Sequence, residues 1–209
     1  MAQKNVLIVA RTRMYGAKVC VGALSDQGEY LRLMNRSCES DQAGRVQYRI
    51  GQWWEVDCEP CGEQRPPHVE DVSVTSARRI GEEEDLSSYL LNNTTPWEGT
   101  MDVLFDRKIQ FTMNGGGYIS SADIPDRATG FWIPTESLRL DTDDREKRGY
   151  YEQFNRHLSY VGTSDELVEV IEPGTLVRVS LARWWRPPNA DPTFEERCYA
   201  QLSGWFSTF

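Results

Sequence analysis

The chain has two histidines, His68 and His157, and neither lies in a metal-binding or nucleophile-elbow pattern. His68 follows two prolines and reads as a loop residue. Carboxylates offer another chemistry: Asp141, Asp143 and Asp144 in LDTDD supply the hard oxygen ligands with which nucleases hold magnesium, although a solvated acidic loop explains them more simply. The pair Cys58 and Cys61 in CEPC has zinc-knuckle or redox spacing, but a structural zinc needs four ligands and there is no second CxxC. With five cysteines at scattered positions, Cys20, Cys38, Cys58, Cys61 and Cys198, reduced thiols are expected, with CEPC a loop carrying two incidental ones. NGGGYIS is rich in glycine, yet it lacks the Lys-Ser/Thr of a phosphate loop and opens no helix, so it reads as a turn. No catalytic residue, metal or cofactor is expected from these groups.

Arginine and aromatic residues form a different constellation. In SLARWWRPPNADP, residues 180–192, two tryptophans stand between two arginines. Side chains alternate along a strand, so Val177, Val179 and Leu181 belong to one apolar face and Arg178, Ser180, Ala182, Trp184 and Arg186 to the other. On that pattern Trp184 is outward and Trp185, beyond Arg183, lies at the rim or in the core. In RCYAQLSGWF, Cys198, Ala200, Leu202, Gly204 and Phe206 face inward, and Tyr199, Gln201, Ser203 and Trp205 outward. Near the start, EYLRLMNR turns Leu31 and Leu33 inward and Tyr30, Arg32, Met34 and Arg36 outward, with Arg11 and Arg13 closing the first strand beside them. Outward rings interleaved with arginines suit single-stranded nucleic acid, in which bases stack at roughly 1–3 kcal/mol each and guanidinium groups meet phosphates. The competing reading is structural: tryptophan is often half-buried, and Arg183 and Arg186 could pair with Glu195 and Glu196 across a hairpin.

The elements that must carry these residues read as β. NVLIVAR, KVCVGAL and EYLRLM are short runs rich in β-branched and aromatic types, separated by turn chemistry, and form an antiparallel meander; QWWEVDCEP and VEDVSVTSARRI add two more strands. Five strands in about 80 residues with no helical period point to a small barrel. GEEEDLSSYLLNN then places acid ahead of Leu86, Tyr89 and Leu90, a short helix with Glu82–Asp85 at its start. TGFWIP, SLRLD, TLVRVSLARWW and RCYAQLSGWF return to β, the last two joined by the loop RPPNADPTFEE. TDDREKRGYYEQFNRHL, with Tyr151, Phe154 and Leu158, suits a helix or a covered loop. The domains expected are residues 1–95, a barrel with its connecting helix, and 96–209, a second β-rich half.

The net charge of −9 opposes indiscriminate nucleic-acid binding. Its distribution is uneven: residues 1–36 carry six basic and two acidic side chains, and 37–100 carry five and thirteen. The longest apolar run is a few residues, well short of the roughly 20 of a membrane helix, and the N-terminal run lacks a cleavage site. A soluble, cytoplasmic protein with no membrane partner is expected.

VLIVARTRM, KVCVGAL, YLRLMN, IGQWWEVD, PPHVEDVSV, GYIS, TGFWIP and above all GTLVRVSLARWWRP with RCYAQLSGWF resemble the prokaryotic dual OB-fold domain proteins over nearly the whole chain. The resemblance implies a mainly β protein in which two small OB-like β-barrels pack together with a short connecting helix. It also implies a predicted nucleic-acid-binding role, often in bacterial conflict or antiviral defence systems, and supplies no catalytic residues. The function expected is non-enzymatic binding of single-stranded or structured DNA or RNA in a defence or DNA-processing system, through Arg11, Arg13, Tyr30, Arg32, Arg36, Arg178, Arg183, Trp184, Arg186, Tyr199 and Trp205. That reading expects steeply salt-sensitive affinity, weakened by Trp184→Ala and Arg32→Ala. The alternative is an acidic protein-interaction subunit or nucleic-acid mimic whose residues 37–100 meet a basic partner protein. A metal-dependent nuclease built on Asp141, Asp143 and Asp144 is the third.

Overall fold

In the computed structural model, residues 1–141, 149–152, 155–191 and 193–207 are described. They form two compact units, Met1–Thr94 with Val161–Thr163, and Thr95–Tyr160 with Ser164–Phe209.

The first unit is built by alternation. Strands β1 (Ala2–Arg13), β2 (Val19–Ser25), β3 (Tyr30–Met34), β4 (Gln52–Pro60) and β5 (Asp71–Glu82) close in the order β1-β2-β3-β5-β4. Neighbours are antiparallel except β3 and β5, which run parallel. Every second residue on each strand is apolar, so Val6, Ile8, Val21, Ala23, Leu31, Leu33, Trp54 and Val56 meet inside the ring. Helix α1 (Leu86–Asn93) follows, its first turn capped by the Asp85 carboxylate, which accepts from the Ser88 N–H at 3.0 Å; Ser87 and Leu90 are its buried residues. Val161–Thr163 joins this unit from far along the chain: the Arg13 N–H donates to the Val161 carbonyl and the Thr163 N–H to that of Arg11.

The parallel pairing of β3 with β5 has a consequence that spacing hides. It sets Asp71 opposite Arg32, and the Cys61 N–H bonds the Asp71 carbonyl, so the chain leaving β3 runs beside the chain entering β5. Cys38 and Cys61 meet there in a disulfide. The expectation of reduced thiols therefore fails for this pair, and CEPC is not a unit: Cys58 is packed in the barrel core.

The second unit adds β6 (Trp97–Gly99), β7 (Gln110–Phe111), β8 (Gly117–Ser120), β9 (Thr129–Pro134), β10 (Leu138–Asp141), β11 (Gly149–Glu152), β12 (Arg156–Tyr160), β13 (Val170–Ile171), β14 (Leu176–Leu181) and β15 (Arg197–Phe206). They make a sheet in the order β13-β10-β11-β12-β15-β14-β9-β6, with β8 on β15 and β7 on β8. Leu104, Phe105, Ile119, Trp132, Leu138, Tyr150, Leu158, Val177, Val179 and Leu202 fill its core. NGGG is the β7–β8 turn; a Cβ on Gly115, at φ +86°, would stand 1.6 Å from the Asn155 carbonyl oxygen, so this turn requires glycine.

The segment expected as a helix or covered loop contains β11 and β12 instead. Tyr150 and Leu158 pair directly across these strands and both are buried, which is the two-residue alternation of a sheet. Phe154, Asp143 and Asp144 lie outside the described residues; Asp141 ends β10.

Candidate nucleic-acid interface

The sequence-derived surface is distributed among three environments, and three β-bulges decide which. In β1, Ile8 pairs Ala23 and Ala10 pairs Gly22, leaving Val9 as an extra residue. A bulge inverts the alternation beyond it. Arg11 and Arg13 consequently face with their partners Val21 and Val19, the inward residues of β2, and the Arg11 Nε is buried. Arg13 is exposed and its guanidinium reaches the Thr163 carbonyl at 3.4 Å.

Arg32 stands on the opposite face of the sheet, and it is already engaged. Its side chain is 12% exposed, its Nε donates to the Asp71 carboxylate at 2.5 Å, and Glu70 lies 4.0 Å away. His68, 1% exposed on the same loop, sets Nδ1 3.7 Å from Glu70. Burial, with Glu70 beside it, holds the Asp71 carboxyl above its ordinary value despite Arg32. Burial also acts to raise Glu70, but the neighbouring His68 and Arg32 prevail and hold that carboxyl below its ordinary value. Arg32 is thus a largely buried ion-pair member, because β3–β5 pairing places an acid beside it. Tyr30, on the same strand, is half-buried, and Arg36 is exposed, donating to the Thr75 carbonyl at 2.9 Å.

On the second unit a bulge lies between β14 and β15. Val179 pairs Leu202 and Arg178 pairs Gly204, so Ser203 is the extra residue. Beyond it Trp205 pairs the core residue Val177 and packs on the core, edge-on to Tyr150 at 5.7 Å. Arg178, expected outward, is 5% exposed and donates to the Ser203 hydroxyl at 3.3 Å; Ser203 and Ser180 are 3.0 Å apart.

The third bulge reverses the tryptophans. The Ala182 N–H bonds the Tyr199 carbonyl, and Trp185 exchanges both backbone hydrogen bonds with Arg197, so three steps on one chain oppose two on the other. Trp184 therefore turns toward the core and packs against it, whereas Trp185 is 48% exposed. Arg183 and Arg186 flank the pair and are exposed.

Around Trp185 the structure assembles an aromatic cluster, exposed at Trp185 and buried at Tyr118, that includes only one ring of the expected set, Tyr199. Trp185 meets Tyr199 edge-on at 6.0 Å, and Tyr199 lies 6.3 Å from Tyr118, its partner on β8. The Arg197 guanidinium stacks over Tyr118 at 4.1 Å and Phe194 at 4.5 Å, while its Nε donates to Glu195 at 3.3 Å. Glu195 also accepts from the Ser120 hydroxyl. The Tyr118 hydroxyl is fixed by Gln110 at 3.0 Å. Trp185, Tyr118, Phe194 and Arg197 were absent from the sequence-derived set. Alternation on β15 did place Arg197 on the face of Tyr199, but Tyr118 becomes a neighbour only through the β8–β15 pairing.

The family model of the dual OB-containing domain matches residues 4–205. The chain belongs to this family. No curated protein matches the chain. In the dual OB domain described here the closed five-strand order of the first unit is the OB arrangement. Its acidic run is partly structural: Glu82 pairs Arg79 at 2.5 Å, Glu83 accepts from the Trp53 indole at 3.1 Å, and Asp85 caps α1. Among the described residues no group of three metal-ligating side chains occurs, and no helix is long and apolar enough to cross a membrane.

Proposed function

We propose that this dual OB domain binds single-stranded nucleic acid without catalysing a reaction, through the second-unit surface centred on Trp185 and Tyr199. The observation that carries the reading is the exposed Trp185 ring beside Tyr199, with Arg183 and Arg186 flanking it and Arg197 stacked on Tyr118. A base stacks on Trp185, and Arg183 and Arg186 meet the phosphates on either side. Fluorescence anisotropy with labelled single- and double-stranded DNA and RNA, alongside tryptophan quenching, tests it. Saturable single-strand binding with quenching is expected, and Trp185→Ala should weaken it about tenfold, since one stacked base is worth roughly 1–3 kcal/mol. Absence of saturable binding at low salt, or affinity unchanged in Trp185→Ala, would refute it.

A further inference from the structure

The first barrel has a second place where chemistry converges, at one mouth of the ring. Small barrels are normally filled by their own side chains, and this one is: Val21, Leu33 and Trp54 meet inside it. Residues 35–51 fold over the mouth, and Val46 and Tyr48 reach in to pack on the core, Tyr48 edge-on to Trp54 at 4.9 Å. An open cleft of about 260 Å³ is left between this loop and strands β2, β3 and β5. Its floor is core, Val19, Val21 and Leu33, so it is a dead end; Arg36, Asp41, Arg45, Thr75 and Ser76 supply its polar lining.

The wall is held in place before any ligand arrives. Gln42 pairs with Lys18, the Val19 N–H bonds the Asp41 carbonyl at 2.9 Å, the Asn35 amide bonds the Asp41 carboxylate at 3.0 Å, and the Cys38–Cys61 disulfide ties the loop to the start of the β4–β5 connection. Preorganisation of this kind lowers the ordering cost of binding.

The lining is also unbalanced in charge. Among the described residues neither Arg36 nor Arg45 meets a carboxylate; Arg36 bonds only the Thr75 carbonyl, although thirteen acidic side chains lie in residues 37–100 that follow it. Two such guanidinium groups at one cleft select an anion. Asp41 beside them accepts from hydroxyl or amino donors. Burial and Asp41 push the Tyr48 hydroxyl up to about 12, so it remains a donor throughout the neutral range. An anion for the arginines, a hydrogen-bond donor for Asp41 and an apolar face for the floor together match a nucleotide; the cleft of about 260 Å³ is slightly under the roughly 300–1,000 Å³ of small-molecule sites but open to solvent, so part of the nucleotide projects from it.

We infer that this cleft binds a single nucleotide carrying a terminal phosphate, free or at the end of a strand, with Arg36 and Arg45 on the phosphate and Asp41 on a base or ribose donor. The inference is independent of the Trp185 surface. Isothermal titration of the full chain with AMP, adenosine and inorganic phosphate tests it. AMP should bind saturably, adenosine and phosphate at least about tenfold more weakly, and Arg36→Ala and Arg45→Ala, both at exposed positions, should each weaken AMP about tenfold, the scale of a charge-assisted hydrogen bond. Competition by strands ending in a phosphate, but not a hydroxyl, places the nucleotide at a strand end; binding of AMP without such competition places it free. No AMP binding at millimolar concentration, phosphate binding as tightly as AMP, or unchanged affinity in both arginine variants overturns the inference. Trp185→Ala should weaken strand binding about tenfold without altering AMP affinity, so the two sites fail or stand separately.

Discussion

Adjacent tryptophans with opposite fates offer a direct comparison. Trp184 packs on the second core, so Trp184→Ala should cost about 2–3 kcal/mol, read from the urea midpoint at unchanged slope. Trp185→Ala gives up an exposed edge-on contact with Tyr199 and should cost less than about 1 kcal/mol of stability while weakening strand binding about tenfold. A reversed ranking in either measurement would contradict the assignment. The Arg32 cluster predicts a pH signature. Glu70 is held below its ordinary value of 4.5, so its contribution is complete above that value and is lost as pH falls through the depressed folded value. Asp71 is raised, so its contribution is present at low pH and is lost as pH rises through the folded value. Glu70→Gln should therefore destabilise most near neutrality, with the gap from the parent closing below pH 4.5 in denaturation curves taken across the acid range.

At the scale of elements, the disulfide closes a loop spanning 23 positions. Chain-entropy reasoning gives about 3 kcal/mol for a loop of that length, so reduction, or Cys38→Ser, should lower unfolding free energy by about that amount; a denaturant midpoint indifferent to reductant would count against it. This pairing could not be read from spacing, because it depends on β3 lying beside β5 across a long connection. The five strands of the first barrel were legible, since β1 and β2 are short runs rich in β-branched residues, Leu31 with Leu33 and Trp54 with Val56 recur at two-residue spacing, and the turns carry their own chemistry. The acidic start of α1 was equally plain. The surface was not: alternation is reliable only until a residue is inserted into it, and Val9, Ser203 and the step between Ala182 and Trp185 are such insertions. Arg11, Arg13, Trp184 and Trp205 all lie beyond one. Nothing in their local composition marks these bulges, which are set by the partner strand. Arg32 and Arg178 were lost for a different reason, as their partners Asp71 and Ser203 are brought in by pairing between distant segments.

Across the whole molecule, charge governs how binding answers to salt. The net charge is −9; Arg32 is ion-paired to Asp71, Arg178 is buried against Ser203, and Arg197 is paired to Glu195 and sandwiched between Tyr118 and Phe194, while Arg183 and Arg186 are the exposed arginines beside Trp185. Two phosphate contacts on a single strand give a slope of about −1.4 in log affinity against log salt. That dependence is much shallower than the steep one the sequence suggested, and stacking carries a correspondingly larger share. Anisotropy titrations over a salt series measure the slope directly; a value near −6 would require further cations from elsewhere on the surface.

The chain is also made in an order that the first unit does not respect. Strand β1 pairs β4 over Ala2–Leu7 and β2 over Val6–Arg13, so around Arg11 and Arg13 one edge has no neighbour until Val161–Thr163 arrives. Residue 163 follows Arg13 by 150 positions, an interval of roughly 10–30 s on a translating ribosome. Through that interval a nascent barrel carries a short open edge, bonded only to water and available to any other extended segment, so completion of the first unit is timed by synthesis of the second.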